Sequence, residues 1–302
     1  MVKRSSKSII IYLLPLLFFV FCTDLFPKKK KESIFLVSRL ESKNSYISVV
    51  VVNGRKYLVK QKKYGKHFAA VRDALSAYIA KDLAIAHSVK IISATKEHPG
   101  KVYGHLPATL LTIAPGDTVR SQKGTKYSTL RLKQQWSQAA SFQEKGLTRT
   151  IINHMTWHEQ LSVIVALDLF LGNSDRHCGN LCYDPKTDKF CAIDMDDTFR
   201  KDLCDWACKK LKVMLRDLQN PFTVEELQAL LIMKNTLNFL IGRHAPDSIV
   251  KQLHIFAKEA GFIEGSNIYS DSVTKKLTYY AMIIRQSHAS AQQLVKLLDT
   301  IT

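Results

Sequence analysis

The spacing of apolar residues changes at Gly116, and no other feature constrains the fold as much. Before that point, residues 33–40, 46–52 and 56–61 are rich in β-branched and aromatic side chains and predict strands. Between the second and third, Asn53-Gly54 predicts a two-residue hairpin turn, whose central positions both need positive φ. Residues 67–87 place Ala70, Leu75, Tyr78, Ile79, Leu83 and Ala84 on one helical face. Residues 89–93 and 102–113 return to extended structure, broken at Pro107 and closed by Pro115-Gly116. After Gly116 the period becomes helical. A polar, basic connector with some helix (117–150) leads to a helix from Thr156, where Thr156 and Glu159 form a capping box and Gly172 marks the end. Further helices are expected at 203–218, at 223–241 behind a Thr223/Glu226 capping box, at 248–260 before Gly261, and at 272–298. The class is therefore α+β. A β-rich N-lobe with one main helix (32–116) faces a mainly helical C-lobe (117–302), with a cleft between them as the natural ligand site.

The chain carries a formal charge of +18, which favours polyanionic partners without choosing among them. Residues 1–31 contribute +6 of it. There Lys3, Arg4 and Lys7 precede the apolar run 9–22, and Lys28 to Lys31 follow it. The run suits a signal peptide and is short for a membrane span, while the lysines would hold the following chain on the cytoplasmic side of an uncleaved anchor. The expectation is a membrane-associated or exported protein whose folded part acts in the cytosol. Five cysteines in the body (178, 182, 191, 204, 208) are an odd number and make no disulfide framework. Their i, i+4 pairs leave zinc conceivable, with small buried cysteines the better reading. No helix-turn-helix, RNA-recognition or zinc-finger pattern supports nucleic acid as the partner.

The densest functional cluster is Asn173-Ser174-Asp175-Arg176-His177-Cys178-Gly179-Asn180, followed by Ile193-Asp194-Met195-Asp196-Asp197. Between them, Leu181-Cys182 and Phe190-Cys191 bracket the turn-forming 184–188, so a hairpin would bring Asn180 and Asp194 to one end. Asp175, Asn180 and Asp194 then form a set of convergent oxygens. Phosphoryl transfer needs such a set: a carboxylate beside the attacking hydroxyl and hard donors for Mg²⁺. An acidic, turn-rich loop is the plain alternative; Asp196 and Asp197 are either further carboxylates for Mg²⁺ or, the preferred reading, exposed turn acids.

The stretch NSDRHCGNLCYDPKTDKFCAIDMDDTF resembles the catalytic loop and metal motif of the atypical kinases, which include phosphatidylinositol 3- and 4-kinases, HipA-like protein kinases and Fam20-like secreted kinases. The preceding helix, ending LDLFLGN, looks like theirs as well. The resemblance implies a bilobal protein-kinase-like fold that uses ATP and Mg²⁺. It makes Asp175 the hydroxyl-orienting base, Asn180 and Asp194 the Mg²⁺ ligands, and His177 a stabiliser of the transferring phosphoryl; loop packing is the other role open to His177 and Arg176. It also implies a strand lysine on the α- and β-phosphates paired with an acid on the next helix, for which Lys60 and Asp73 are the candidates. Residues 109–113 look like the segment that meets adenine. The phosphate-covering loop, 40–45, lacks glycine, and Ser42 and Ser45 are its candidate donors. The basic flank and Arg200, Lys201, Lys209, Lys210 and Lys212 incline the acceptor towards a phosphoinositide at an anionic membrane surface. A protein hydroxyl, as for HipA-like kinases, and a pseudokinase that binds without transfer are the alternatives.

Overall fold

The computed structural model describes residues 33–41, 45–63, 68–119, 147–217, 219–264, 267–268 and 271–302. The N-terminal apolar run, the tetralysine, Ser42 and most of the connector lie outside them. Among the described residues no helix is long and apolar enough to cross a membrane.

Strands β1 (Ile34–Glu41), β2 (Ser45–Val52), β3 (Arg55–Lys62), β4 (Val89–Ile92) and β5 (Ala108–Thr112) form an antiparallel sheet in the order β1-β2-β3-β5-β4. The expected hairpin turn is present, with Asn53 at φ 51° and Gly54 at φ 81°. It sets the register that places Lys60 opposite Ile47 on β2, and on the other side Lys60 pairs with Thr109 of β5.

Helix α1 (Ala69–Ala80) is shorter than its pattern predicts. A single 3₁₀ turn follows, and Ala84 adopts left-handed φ of 53°. The reason is tertiary. The turn lets the Ile85 carbonyl accept from Ala192 N at 2.6 Å and Ala86 bridge to Ala192, pairings that outweigh the modest propensity for further helix. His87, expected at the helix end, is drawn instead into the wall between the lobes. The expected strand 102–113 also shrinks to β5. Residues ahead of it form a loop in which the Lys101 ammonium donates to the carbonyls of Ser93, Ala94, Lys96 and Gly104 at 2.6–3.1 Å.

The C-lobe holds α2 (Arg149–Met155), α3 (Glu159–Leu171), α4 (Leu203–Leu215), α5 (Val224–Arg243), α6 (Pro246–Glu259) and α7 (Asp271–Leu298). Thr156 does not start a helix as expected. It closes α2, its hydroxyl donating to Asn153 O at 2.7 Å, and His158 caps α3 by accepting from Gln160 N. The pattern misled because α2, capped by Thr148, is short and sits at the end of the basic connector. Gly172 ends α3 at φ 62° as expected; a Cβ there would stand 2.2 Å from the Lys201 carbonyl, so glycine is required. The Thr223/Glu226 capping box is formed, and Glu226 also takes Arg149, tying α2 to α5. Helix α4 ends three residues before the expected 218, and α6 begins at Pro246 rather than Ser248.

The hairpin β7 (Leu181–Asp184) and β8 (Lys189–Ala192) joins β6 (Asp117–Thr118) in a small sheet under the cleft. A two-stranded ribbon, β9 (Ile263–Glu264) and β10 (Asn267–Ile268), precedes α7. The main core runs from Val71, Leu75 and Ile79 of α1 into α3, α5 and α7, whereas the five-stranded sheet has a small core of its own at Val50, Val59, Ile92 and Ala108. The five cysteines are free and buried, and burial pushes the Cys182 and Cys191 thiols up to about 11 and about 12, which keeps them protonated.

Candidate active site

A cavity of about 420 Å³ opens between the lobes. Its roof includes Ser45 of β2 and Lys60 of β3, the segment joining the lobes supplies Thr112 to Ala114, and its floor carries Asn180, Ile193 and Asp194. Gly116, at φ 72°, ends the joining segment where a Cβ would lie 2.1 Å from the Tyr183 carbonyl.

The loop 173–180 is held by charge buried in the core. Asp168 and Arg176 are 0% and 1% exposed, and the guanidinium grips the carboxylate with Nε at 2.9 Å and Nη2 at 3.0 Å. Asn173 donates to the same carboxylate at 2.7 Å and accepts from Asp175 N. Arg176 Nη1 donates to the Ile193 carbonyl at 2.8 Å and also to that of Asn180. One arginine thus fixes the backbone at both candidate metal ligands. Of the two roles open to Arg176, packing and loop anchoring is the one its surroundings fit.

The Asn180 amide nitrogen donates to the Asp175 carbonyl at 2.9 Å, which leaves Oδ1 as the end for a ligand. Asp175 itself is exposed and stands outside the cavity lining. Partial desolvation pushes its carboxyl pKa up and His177 opposes that push. The His177 ring accepts from Gly179 N at 3.0 Å, which turns it within the loop. Asp194 has a left-handed φ of 54°, a conformation that short polar residues tolerate better than others.

Lys60 sits among three carboxylates. It is hydrogen-bonded to Asp194, stands 2.6 Å from Asp196, and reaches the predicted partner Asp73 only at 3.9 Å. Burial alone would push its ammonium pKa down, but Asp73, Asp194 and Asp196 outweigh burial and hold it well above the usual value. Burial pushes Asp73 up to about 6 against the pull of Lys60. Asp196 and Asp194 add to the rise, and Asp73 Oδ1 is buried with no hydrogen bond. Asp194 goes the other way. Burial would raise it, yet Lys60 and Lys62 hold it well below the carboxylate range.

Asp196 corrects the sequence reading, since it is buried (8% exposed) and not a solvated turn acid. It lies at ion-pair distance from both Lys60 and Lys62, the latter at 2.7 Å. Helix α1 reaches this loop through Ser76, whose hydroxyl meets Thr198 at 2.9 Å. Asp168, Lys62 and His87 were not singled out from the sequence, and Asn173 was read only as a member of the cluster. Asp168 carried a readable signal, an acid inside the apolar helix EQLSVIVALDLFL, where a buried charge requires a partner. Lys62 did too, because alternation puts it on the same strand face as Lys60.

Asn180 and Asp194 offer one amide oxygen and one carboxylate. Among the described residues no group of three or more His, Cys, Asp or Glu side chains is arranged to hold a metal. That donor set fits Mg²⁺ arriving with a nucleotide, because Mg²⁺ keeps several waters and takes phosphate oxygens beside one or two protein ligands.

No family model matches the sequence, and no curated protein matches it either. Among solved structures, the proinflammatory kinase CtkA of Helicobacter pylori is similar with a TM-score of 0.54 at 12% identity, over 90% of this chain and 97% of that one. The fold is kinase-like. This likeness speaks to the fold and does not separate the lipid-kinase, HipA-like and Fam20-like branches. The aminoglycoside phosphotransferase APH(4)-Ia also aligns, at 15% identity over 94% of this chain and 98% of that one, but its TM-score of 0.31 carries no argument.

Proposed function

We propose that this protein is a phosphotransferase that binds ATP with Mg²⁺ in the inter-lobe cavity and transfers the γ-phosphoryl group to an acceptor hydroxyl. One observation carries the reading: the Arg176-anchored loop and the β7–β8 hairpin bring Asn180 and Asp194 to one cavity with Lys60. In this reading Lys60 exchanges its carboxylates for the α- and β-phosphates, and Asn180 and Asp194 would hold Mg²⁺, which would supply charge neutralisation. Ser45, buried at the cavity roof, would donate to the phosphates in this reading. The acceptor oxygen forms a bond to the γ-phosphorus as the bond to the β–γ bridging oxygen breaks, and ADP leaves. Asp175 receives the hydroxyl proton, and His177 in the same loop faces the charge on the moving group.

For the acceptor we favour a phosphoinositide. Lys209, Lys210 and Lys212 are exposed on α4, which begins directly after the Asp194–Arg200 segment, and the tetralysine adds an anionic-surface preference of its own. The test uses the full chain, wild type and Asp175→Asn, with γ-labelled ATP, Mg²⁺, and phosphoinositide vesicles or a cell lysate as acceptors. Wild type should label lipid, and the variant should fall by about 10²–10⁴-fold. Label in protein instead would replace the lipid acceptor with a protein hydroxyl. Equal labelling by both chains would remove Asp175 from the chemistry, and ATP binding without any transfer would make the chain a pseudokinase.

A further inference from the structure

Lys62 is the second cation of the Lys60 cluster, and the functional reading leaves it without a task. It stands two residues after Lys60 on β3, so alternation puts both ammoniums on one face of the strand. Gln61 between them is 1% exposed and fixes the strand from its other face. Its amide oxygen accepts from Val102 N and Tyr103 N, and its amide nitrogen donates to the carbonyls of Tyr103 and Leu106, all at 2.8–3.0 Å. Asp196 is carried by a loop that the Thr198 hydroxyl closes, donating to the Met195 carbonyl at 3.2 Å. One oxygen of Asp196, Oδ2, lies 2.6 Å from the Lys60 ammonium and 2.7 Å from that of Lys62. Among the described residues these are the cations at ion-pair distance from it, and the oxygen is enclosed with no hydrogen bond of good geometry. Lys60 borders the inter-lobe cavity, whereas Lys62 and Asp196 border an adjoining void of about 10 Å³. Lys62 is thus placed to act on Asp196 and not on a nucleotide.

Resting on the functional reading above, we propose that Lys62 is a positioning residue for nucleotide binding: it keeps Asp196 paired, so that Lys60 can leave its carboxylates for the phosphates. In the ligand-free cluster Lys60 is shared by Asp73, Asp194 and Asp196. When it turns to the phosphates, Asp194 has Mg²⁺ to meet it. Asp196 has only Lys62. A buried carboxylate stripped of its cation is costly, so without Lys62 the Asp196 side chain would hold Lys60 back and oppose the nucleotide. The two lysines therefore divide the work, one moving to the ligand and the other staying with the acid left behind.

The experiment measures the Kd of ATP with Mg²⁺ by calorimetry for full-length wild type, Lys62→Met, Lys62→Arg, Asp196→Asn and the double variant Lys62→Met/Asp196→Asn. Lys62→Met should bind about tenfold more weakly or worse, and Lys62→Arg should stay near wild type. Asp196→Asn should bind more tightly than wild type, because it removes a competitor for Lys60. The double variant strands no charge and should bind at least as tightly as wild type, a rescue that a merely structural role for Lys62 does not produce. It also carries the test if Lys62→Met does not fold. Wild-type affinity in Lys62→Met overturns the proposal, and so does a loss that persists in the double variant, which would put Lys62 on the nucleotide itself. Weaker binding by Asp196→Asn overturns it too and makes Asp196 a metal ligand. Wild type that binds no ATP overturns the functional reading, which separates that failure from the others.

Discussion

Two buried ionic clusters flank Asp194, and they are built on opposite plans. The Asp168–Arg176 pair is closed: both carboxylate oxygens are engaged, and Nη1 of the guanidinium donates to two backbone carbonyls. The Lys60 cluster is open. Three carboxylates crowd two lysines, Asp73 Oδ1 has no hydrogen bond, and Asp194 is still one-third exposed. A satisfied buried pair fixes a conformation, whereas an overfilled and partly wet one keeps cations and carboxylates ready to exchange partners. The first cluster shapes the site, and the second is where a charged ligand would enter.

Breaking the closed cluster should produce the largest effect. Arg176→Met strands Asp168 in the core and should cost about 3–5 kcal/mol in urea unfolding. The double variant with Asp168→Leu should recover most of that. A loss below about 1 kcal/mol in the single variant would mean that the pair anchors nothing.

Breaking the open cluster should be felt first in chemistry. Lys60→Met should retain its circular dichroism spectrum while phosphoryl transfer drops by about 10²–10³-fold. Transfer at the wild-type rate would take Lys60 off the phosphates.

The smallest effect sharpens the comparison through pH. Folding raises the Asp73 pKa from the ordinary 3.8 to about 6, so the folded state keeps this proton longer than the unfolded chain. Its stabilising contribution is fully present below pH 3.8 and is lost as pH rises through about 6. Asp73→Asn stays neutral throughout. The stability of wild type relative to this variant should therefore fall by about 1–2 kcal/mol between pH 4.5 and 7.5, measured by urea unfolding. A pH-independent difference would show that Lys60 holds Asp73 ionised after all.

The sequence was most readable where local chemistry dictates structure. Asn53-Gly54, Gly172, the Thr223/Glu226 box and the 181–192 hairpin depend on neighbours in the chain, and all formed as expected. Lys60, Asn180 and Asp194 were legible by residue type and spacing, and they share the cavity. The misreadings came where distant contacts override local preference. Residues 81–87 follow helical periodicity, but β8 captures them. Thr156 has the right partner at Glu159, but it was already needed to end α2. Asp196 looks like a turn acid until Lys62 folds over it from another lobe. No local pattern could have disclosed that His87 would be buried between the lobes.

Helix α1 belongs by chain order to the first lobe, yet its side chains are packed into the second. Phe68 at its start stacks on Phe262 with ring centroids 4.8 Å apart, and Tyr78 meets Phe256 edge-on. Arg72 lies over the Tyr280 ring, and Val71, Leu75 and Ile79 share the main core. The same helix also packs on β3, β4 and β5, so both lobes grip it. Asp73 and Ser76 are therefore carried by the element that ties the two halves together, with Ser76 reaching the Met195–Thr198 loop and Asp73 facing Lys60 of the sheet. A substitution that loosens this helix would disturb both lobes and the charged cluster at once.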